Sequence, residues 1–451
     1  VISLTPRPDR LAAATNLMPR HDGRLATRPG AVQVITGPVS AAQPWGNRIL
    51  ASRRGRLALW DGDEHDIAPA GVTLQATAFQ TLNADAQRED RLYVADGLRP
   101  LWFLRKQGGA YQAVDVVNTI TDAGGAPYPL PVPSVIANWR NRLWIGDLGN
   151  RLHHCQNEAP DEWDPLWTVE FQGKTPDRII TARPAGDMLA VGLGRSIWNV
   201  MGDSQYNWVT NPLRSRGVAG PDALASDDDG AWWVSGFGVF SLGERGPLTD
   251  DLAPLFDGRL FGASAVIDKQ RRLLLVLVHG RVFAMHLAHP GRWTDWAISA
   301  AGLIATDDYV GWYGSNGVWL LGREDEPDVS LAGEHTDVVS VYETWDHQPN
   351  EYGRAHLPRA VIRAHGSTRG SASYTAYADN TTFSTTFSLS DESIPTWQGD
   401  VTGVIGQTRP LRPVRREFSP RLAGQSFRHR ITAPCHIEII DFEPQYRGGN
   451  P

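Results

Sequence analysis

The sequence predicts an all-β protein: a β-propeller of six or seven blades followed by a β-sandwich-like domain. Three features carry that expectation: the spread of glycine and proline, the scarcity of helical spacing, and a two-stranded unit that recurs through the middle of the chain. The 45 Gly and 31 Pro are distributed rather than blocked together, as short strands joined by tight turns require. One or the other interrupts nearly every stretch that would otherwise sustain i, i+3, i+4 spacing.

The recurring unit is a short apolar strand, a polar or Gly-containing turn and a second apolar strand. Its seven instances are Arg48 to Trp60, Arg91 to Leu104, Asn141 to Cys155, Asp187 to Met201, Gly230 to Leu242, Arg271 to Leu287 and Asp308 to Leu321. Their starts are roughly 40 to 50 residues apart, the period of one four-stranded propeller blade, whereas a sandwich places turns every ~8 to 12 residues with no longer period superimposed. Alternate aromatic or branched positions, such as Trp144 and Trp233, suit strands packed between neighbouring blades. Six or seven blades fit, because the first or last hairpin can belong to a blade closed by strands from both ends of the chain. Closure into a ring leaves no long exposed strand edge.

Two regions flank the repeat. Residues 1–45 read as an extended, Pro-rich arm or as strands contributed elsewhere. Residues 46–330 form the propeller, and from 331 to 451 the hairpin period is lost. There, a Ser/Thr-rich β stretch from Gly370 to Ser390 leads to two strands, Ser426 to Ala433 and His436 to Phe442, as expected of a separate sandwich-like domain.

Composition narrows the function. With 451 residues, 41% hydrophobic residues and 17 Trp, the chain has ample material for a packed core. A formal net charge of −7 argues against binding nucleic acid over the whole surface, which needs a basic face. Positive charge is almost entirely Arg, the lysines being Lys106, Lys174 and Lys269; codon bias and a use for planar ion pairs explain this equally well. Cys155 and Cys435 allow one disulfide and no disulfide framework. Val1–Arg7 lacks the charged-then-apolar layout of a signal peptide, and the longest apolar run, Leu273 to Val278, is of strand length, so no membrane-spanning segment is expected.

No catalytic, cofactor-binding or metal-ligating residue is selected by the sequence, and a non-enzymatic role is expected. Ser226 to Trp233 fits the S-x-D-x-G-x-x-W spacing of the Asp-box in sialidase-type propellers. In such a box the Asp closes a hairpin turn through backbone N–H groups and the Trp packs beneath it, which is a structural role. The adjacent acids Asp250-Asp251 and Asp307-Asp308 read as solvated turns rather than acid/base pairs. In His153-His154-Cys155 consecutive strand residues face opposite ways, so three metal ligands cannot converge. Gly192-Leu193-Gly194-Arg195-Ser196 is a hairpin turn that opens no helix, unlike a phosphate loop. The basic stretch Arg409 to Arg416 suits contact with DNA or an acidic neighbour, or a solvated loop stiffened by two prolines.

Three segments bear a family resemblance. Asn16-Leu17-Met18-Pro19, Asp22-Gly23-Arg24-Leu25 and Arg28-Pro29-Gly30 resemble the opening of tail-nozzle and packaged-DNA stabilisation proteins of short-tailed bacteriophages. Arg216 to Pro221, followed by Gly230 to Leu242, is similar to the passage of such proteins from a turn into a hairpin. The ending from Gly424 to Ile431, with Ile437 to Pro444 and Arg447-Gly448, resembles their closing strands. The resemblance implies a virion tail protein: a homo-hexameric ring below the tail adaptor that retains packaged DNA and forms its exit channel. DNA would pass through the lumen without specific binding, and tail fibres or spikes would dock outside. The residues themselves leave two other classes open: a carbohydrate-binding or glycan-cleaving propeller, its Trp stacking on sugars, and a cytoplasmic scaffold propeller.

Overall fold

The blades of the propeller are built on hairpins whose first strand is buried on both faces, as in Arg142–Gly146 and Leu273–Val278, so the apolar runs of the sequence lie mid-sheet. The computed structural model describes the chain apart from residues 1–10, 23, 46–47, 54–55, 68–77, 82–90, 96, 98, 109, 173–176, 250–251, 253–254, 257–259, 261, 307, 323–327, 330–334, 337, 345–354, 367–370, 380, 390–412, 425, 435–436 and 449–451. Among the described residues there is no α-helix, and no helix is long and apolar enough to cross a membrane. The chain divides into two units: residues 33–282 with 298–320, and residues 1–32 with 283–297 and 321–451.

The first unit is the propeller. Blade one runs through Val39–Trp45, Arg48–Arg53, Arg56–Trp60 and Glu64–Ile67, and blade two through Ala78–Thr81, Arg91–Ala95, Trp102–Gln107 and Ala110–Asp115. Blade three comprises Val135–Trp139, Arg142–Gly146, Arg151–His154 and Thr168–Glu170, and blade four Ile179–Ala185, Met188–Leu193, Ile197–Met201 and Val209–Arg214. Blade five has three described strands, Leu224–Asp227, Gly230–Ser235 and Gly238–Ser241. Of the sixth repeat this unit holds Ser264–Asp268 and Leu273–Val278. Blade seven is Gly302–Ala305, Val310–Gly314 and Gly317–Leu321.

Seven blades close the ring. The innermost strands touch in succession from Val39–Trp45 through Ala78–Thr81, Val135–Trp139, Ile179–Ala185, Leu224–Asp227, Ser264–Asp268 and Gly302–Ala305, and the last returns to the first. A strand from early in the chain, Ala31–Ile35, completes blade seven beside Gly317–Leu321. Gly317 permits that approach: its φ is +107°, and a Cβ there would lie 1.9 Å from the Ile35 carbonyl oxygen.

The burial pattern follows position in the blade. Second strands such as Arg142–Gly146 and Leu273–Val278 are buried at every residue, and each fully buried Leu or Val contributes about 1.5–3 kcal/mol relative to exposure. Outer strands are short or solvated, as in Thr168–Glu170 and Val209–Arg214.

The other unit is a β-sandwich. One sheet orders Leu17–Pro19, Leu25–Thr27, Ile437–Gly448, Ala355–Gly366 and Pro413–Phe418; the other carries Leu11–Thr15, Ser340–Thr344, Phe427–Ala433, Ser371–Ala378 and Thr381–Ser388. Strand alternation points one face inward, clearest in Ser371–Ala378 and Phe427–Ala433. Leu17, Ile362, Tyr374, Phe427, Ile431 and Phe442 share a single core.

These boundaries differ from those drawn on sequence, where an arm ended at residue 45 and a terminal domain began at 331. Leu17 and Leu25 are fully buried in the sandwich, Ile35 is buried in the propeller, and Val39–Trp45 is the inner strand of blade one. The early residues are therefore strands contributed elsewhere. Phe283–Ala297, taken as part of the propeller, groups with the sandwich, where Thr15 pairs in parallel with Asp295.

Candidate functional site on the propeller axis

The inner strands of a propeller are hydrogen-bonded on one side only, which is where a strand tolerates proline. Two of them use the same local sequence. In Val39–Trp45 the order is Ala42-Gln43-Pro44, in Ile179–Ala185 it is Ala182-Arg183-Pro184, and both strands carry a register irregularity near their start. In each, a polar side chain lies among small residues beside the axis.

A cavity of about 350 Å³ occupies that axis, lined by the inner strands of blades one, four, five, six and seven. Gln43, Arg183, Asp222, Ser226, Lys269 and Thr306 are its polar walls. Gln43 Nε2 donates to Asp222 Oδ1 at 3.4 Å, and Arg183 Nη2 lies 4.0 Å from the same oxygen. Asp222 precedes the inner strand of blade five, and its carbonyl accepts from Ala265 N at 2.8 Å. Blades one and five are not neighbours in the ring, so the Gln43–Asp222 bond reaches across it. Burial lowers the Arg183 pKa, with Asp222 working in the opposite sense. Burial first, and the Asp222 charge second, push the Tyr313 phenol well up. The arrangement suits binding of a small polar molecule, and it is far too narrow for a duplex whose major groove alone is about 12 Å wide.

Motifs singled out on sequence sit elsewhere. The Ser226–Trp233 box is a hairpin turn between Leu224–Asp227 and Gly230–Ser235. The turn is closed by Asp227 rather than Asp228: Asp227 Oδ1 accepts from Asp229 N at 2.8 Å and from Gly230 N at 3.1 Å. Gly230, at φ +156°, lets the chain turn there, and Trp233 is buried with its indole N–H donating to the Arg216 carbonyl at 3.0 Å. Asp177 similarly ties the Gly192–Ser196 turn, accepting from Arg195 N at 2.8 Å.

His153 and His154 face opposite ways. His153 lies 3.8 Å from Asp147, and burial, its largest influence, lowers its pKa. His154 is buried, its Nδ1 bonding the Cys155 carbonyl at 2.9 Å and its Nε2 accepting from Trp208 Nε1 at 3.0 Å. Both ring nitrogens are thus satisfied by a neutral imidazole, and burial lowers the pKa to about 4. The Cys155 thiol is free and buried, pushed up to about 12 chiefly by burial. Among the described residues no group of three or more His, Cys, Asp or Glu is placed to hold a metal. Asp250, Asp251, Asp307, Cys435 and residues 409–412 of the basic stretch lie outside the described residues, whereas Arg415 and Arg416 are on the strand Pro413–Phe418.

The opening segment forms a buried polar node within the sandwich unit. Asn16 adopts φ +53°, its Oδ1 accepting from Ala297 N at 2.8 Å and its Nδ2 donating to the Val339 carbonyl at 2.8 Å. Arg28, with a side chain 4% exposed, forks onto both carboxylate oxygens of Asp328 at 3.0 and 2.6 Å. Asp328 also accepts from Ala31 N at 2.9 Å. Sequence reasoning missed the axial residues Gln43, Arg183 and Asp222; the repeated Ala-(Gln/Arg)-Pro is the signal that could have pointed to the first two.

Likeness to known proteins is confined to remote structural similarity. No family model matches the sequence, and no curated protein does. An extracellular domain from B. thetaiotaomicron, described as that of the "putative hybrid two component system BT4673", is 12% identical with a TM-score of 0.42, over 65% of this chain and 40% of its own length. A second structure of that domain, described as from a one component system, gives 12% and 0.45 over 72% of this chain and 46% of its own. A chain of the Mitotic Checkpoint Complex gives 11% and 0.41, over 71% of this chain and 94% of its own. This chain therefore spans less than half of the first two, and similarity at this level carries no functional argument.

Proposed function

We propose that this chain is a structural virion protein, the subunit of a six-fold nozzle at the distal end of a short phage tail. The observation that supports the reading most is where its resemblance residues lie. Asn16 and Arg28 bond within the interior of the sandwich unit, and an opening segment with an architectural role supports reading it as part of the resemblance. Function on this reading is geometric: copies of the chain enclose the lumen. The cross-axis bond from Gln43 to Asp222 adds a constraint, because DNA would run between subunits and not through any propeller. A net charge of −7 favours walls that let phosphate slide rather than stick.

The test is native mass measurement with negative-stain imaging of the purified chain, alone and with portal–adaptor complexes. Six-fold rings, or six copies added to the adaptor, are the expected result; persistent monomers that ignore the adaptor would remove the proposal. A glycan-release assay on host polysaccharide addresses the enzymatic alternative, and reproducible cleavage would replace the structural role.

A further inference from the structure

We infer that the propeller's axial cavity is a binding site for a small hydroxylated monocarboxylate, gripped at two points by the Arg183 guanidinium. An arginine presents five N–H donors in a planar fork that matches the two oxygens of a carboxylate. Arg183 uses none of them in a hydrogen bond among the described residues: Asp222 Oδ1 is 4.0 Å away and is held by Gln43 at 3.4 Å. The Arg183 side chain is only 28% exposed and lines the cavity. A guanidinium that faces the cavity without a hydrogen-bond acceptor of its own is open to a ligand that supplies two oxygens.

Charge selects the ligand class. The charged residues on the wall are Arg183, Lys269 and Asp222, a set that favours an anion over a cation. A phosphate dianion would set its second charge against Asp222. Gln43, Ser226 and Thr306 add donors and acceptors suited to hydroxyl groups. A volume of about 350 Å³ is near the lower end of ligand pockets, ~300–1,000 Å³, and accommodates one hydroxy acid or one acidic sugar ring rather than a polymer. The lowered Arg183 pKa agrees, since a bound anion offsets the burial that causes it. Nothing in this inference depends on ring assembly, so it and the nozzle proposal succeed or fail separately.

Calorimetric titration of the full chain with sodium D-glucuronate, L-lactate and inorganic phosphate at pH 7 tests it. Saturable one-to-one binding of an acid is expected, with phosphate at least tenfold weaker. Arg183→Gln should weaken the acid by about tenfold to a hundredfold, the worth of a charge-assisted hydrogen bond, with circular dichroism and melting unchanged. Glucuronate binding tenfold tighter than lactate marks an acidic sugar, and parity or the reverse order marks a small hydroxy acid; either supports the site. Absence of saturable heat from both acids, phosphate binding as tightly as the acids, or parental affinity in the variant overturns it. Should Arg183→Gln fail to fold, Arg183→Lys keeps the charge without the fork, and unchanged affinity there overturns it equally.

Discussion

Replacing His154 by Gln should remove a large part of the pH dependence of propeller stability between pH 7 and pH 5, the neighbouring His153, also lowered by burial, keeping its own share. In the folded chain His154 is held neutral, its pKa lowered from 6.5 to about 4, first because burial disfavours the imidazolium and further because Arg142 and His153 lie nearby; the bond to the Cys155 carbonyl opposes the shift. Between those two values the unfolded chain binds a proton that the folded chain does not. Stability from this group is therefore present above pH 6.5 and is lost as pH falls toward 4. The gap is worth about 3 kcal/mol, of which about 2 kcal/mol is already lost at pH 5. Working above pH 5 keeps carboxylate titration small.

Urea unfolding at pH 7, 6 and 5 measures the effect by tryptophan emission, to which Trp139, Trp144 and Trp208, packed together beside His154, contribute. The parent should lose about 2 kcal/mol more than His154→Gln over this range. Gln can still accept from Trp208 Nε1, so the comparison isolates the proton. Equal losses in parent and variant would show that His154 is already charged in the folded state, and the reading of its two ring nitrogens would be wrong.

Other outcomes follow from single contacts. Asp227→Ala should destabilise by about 1–2 kcal/mol through two lost turn bonds, whereas exposed Asp228→Ala should stay within about 0.5 kcal/mol in urea melts; the reverse order would restore the Asp-box reading. Arg28→Ala should cost about 3–5 kcal/mol by leaving Asp328 a largely buried, unpaired charge, and calorimetry should find this loss larger than that of the double change Arg28→Met with Asp328→Leu. In a Cys435→Ser background, Cys155 should ignore a thiol reagent at pH 8 until urea is added; rapid native labelling would contradict its burial.

Legibility of the fold tracked position within the blade. Middle hairpins were readable because their first strands are buried on both faces, which writes continuous apolar runs such as Leu273–Val278. Inner strands were not, since the axis asks for small and polar residues and the Gln43-Pro44 and Arg183-Pro184 pairs interrupt any strand pattern. Outer strands such as Thr168–Glu170 are three residues long and half solvated. The early strands were hidden for another reason. Leu17–Pro19 and Leu25–Thr27 are too short to signal on their own; they pair with each other, and Leu25–Thr27 joins the sheet through Ile437–Gly448, far along the chain. The axial site was invisible as a constellation because Gln43, Arg183 and Asp222 meet only when the ring closes. In the Asp-box the spacing was right and the acting acid was off by one, because turn geometry rather than motif position decides which carboxylate reaches the backbone N–H groups.

The surplus of arginine over lysine, which the sequence left between codon bias and a use for planar charge, can be decided at the hairpins. Arg48 sits over Trp45 at 4.5 Å, Arg91 over Phe103 at 4.6 Å and Arg99 over Trp102 at 4.0 Å, and Arg140 lies 5.1 Å from Trp139. In three successive blades a guanidinium caps an aromatic ring of the hairpin or of the adjoining inner strand. A flat, weakly hydrated cation covers a ring in a way that a compact ammonium does not. Lysine at Arg48, Arg91 and Arg99 keeps the charge and gives up the stacking, each worth about 0.5–1 kcal/mol. The triple Arg→Lys variant should therefore lose about 1–3 kcal/mol in urea melts. Codon bias alone predicts no loss, and a variant as stable as the parent would establish that these arginines are interchangeable with lysine.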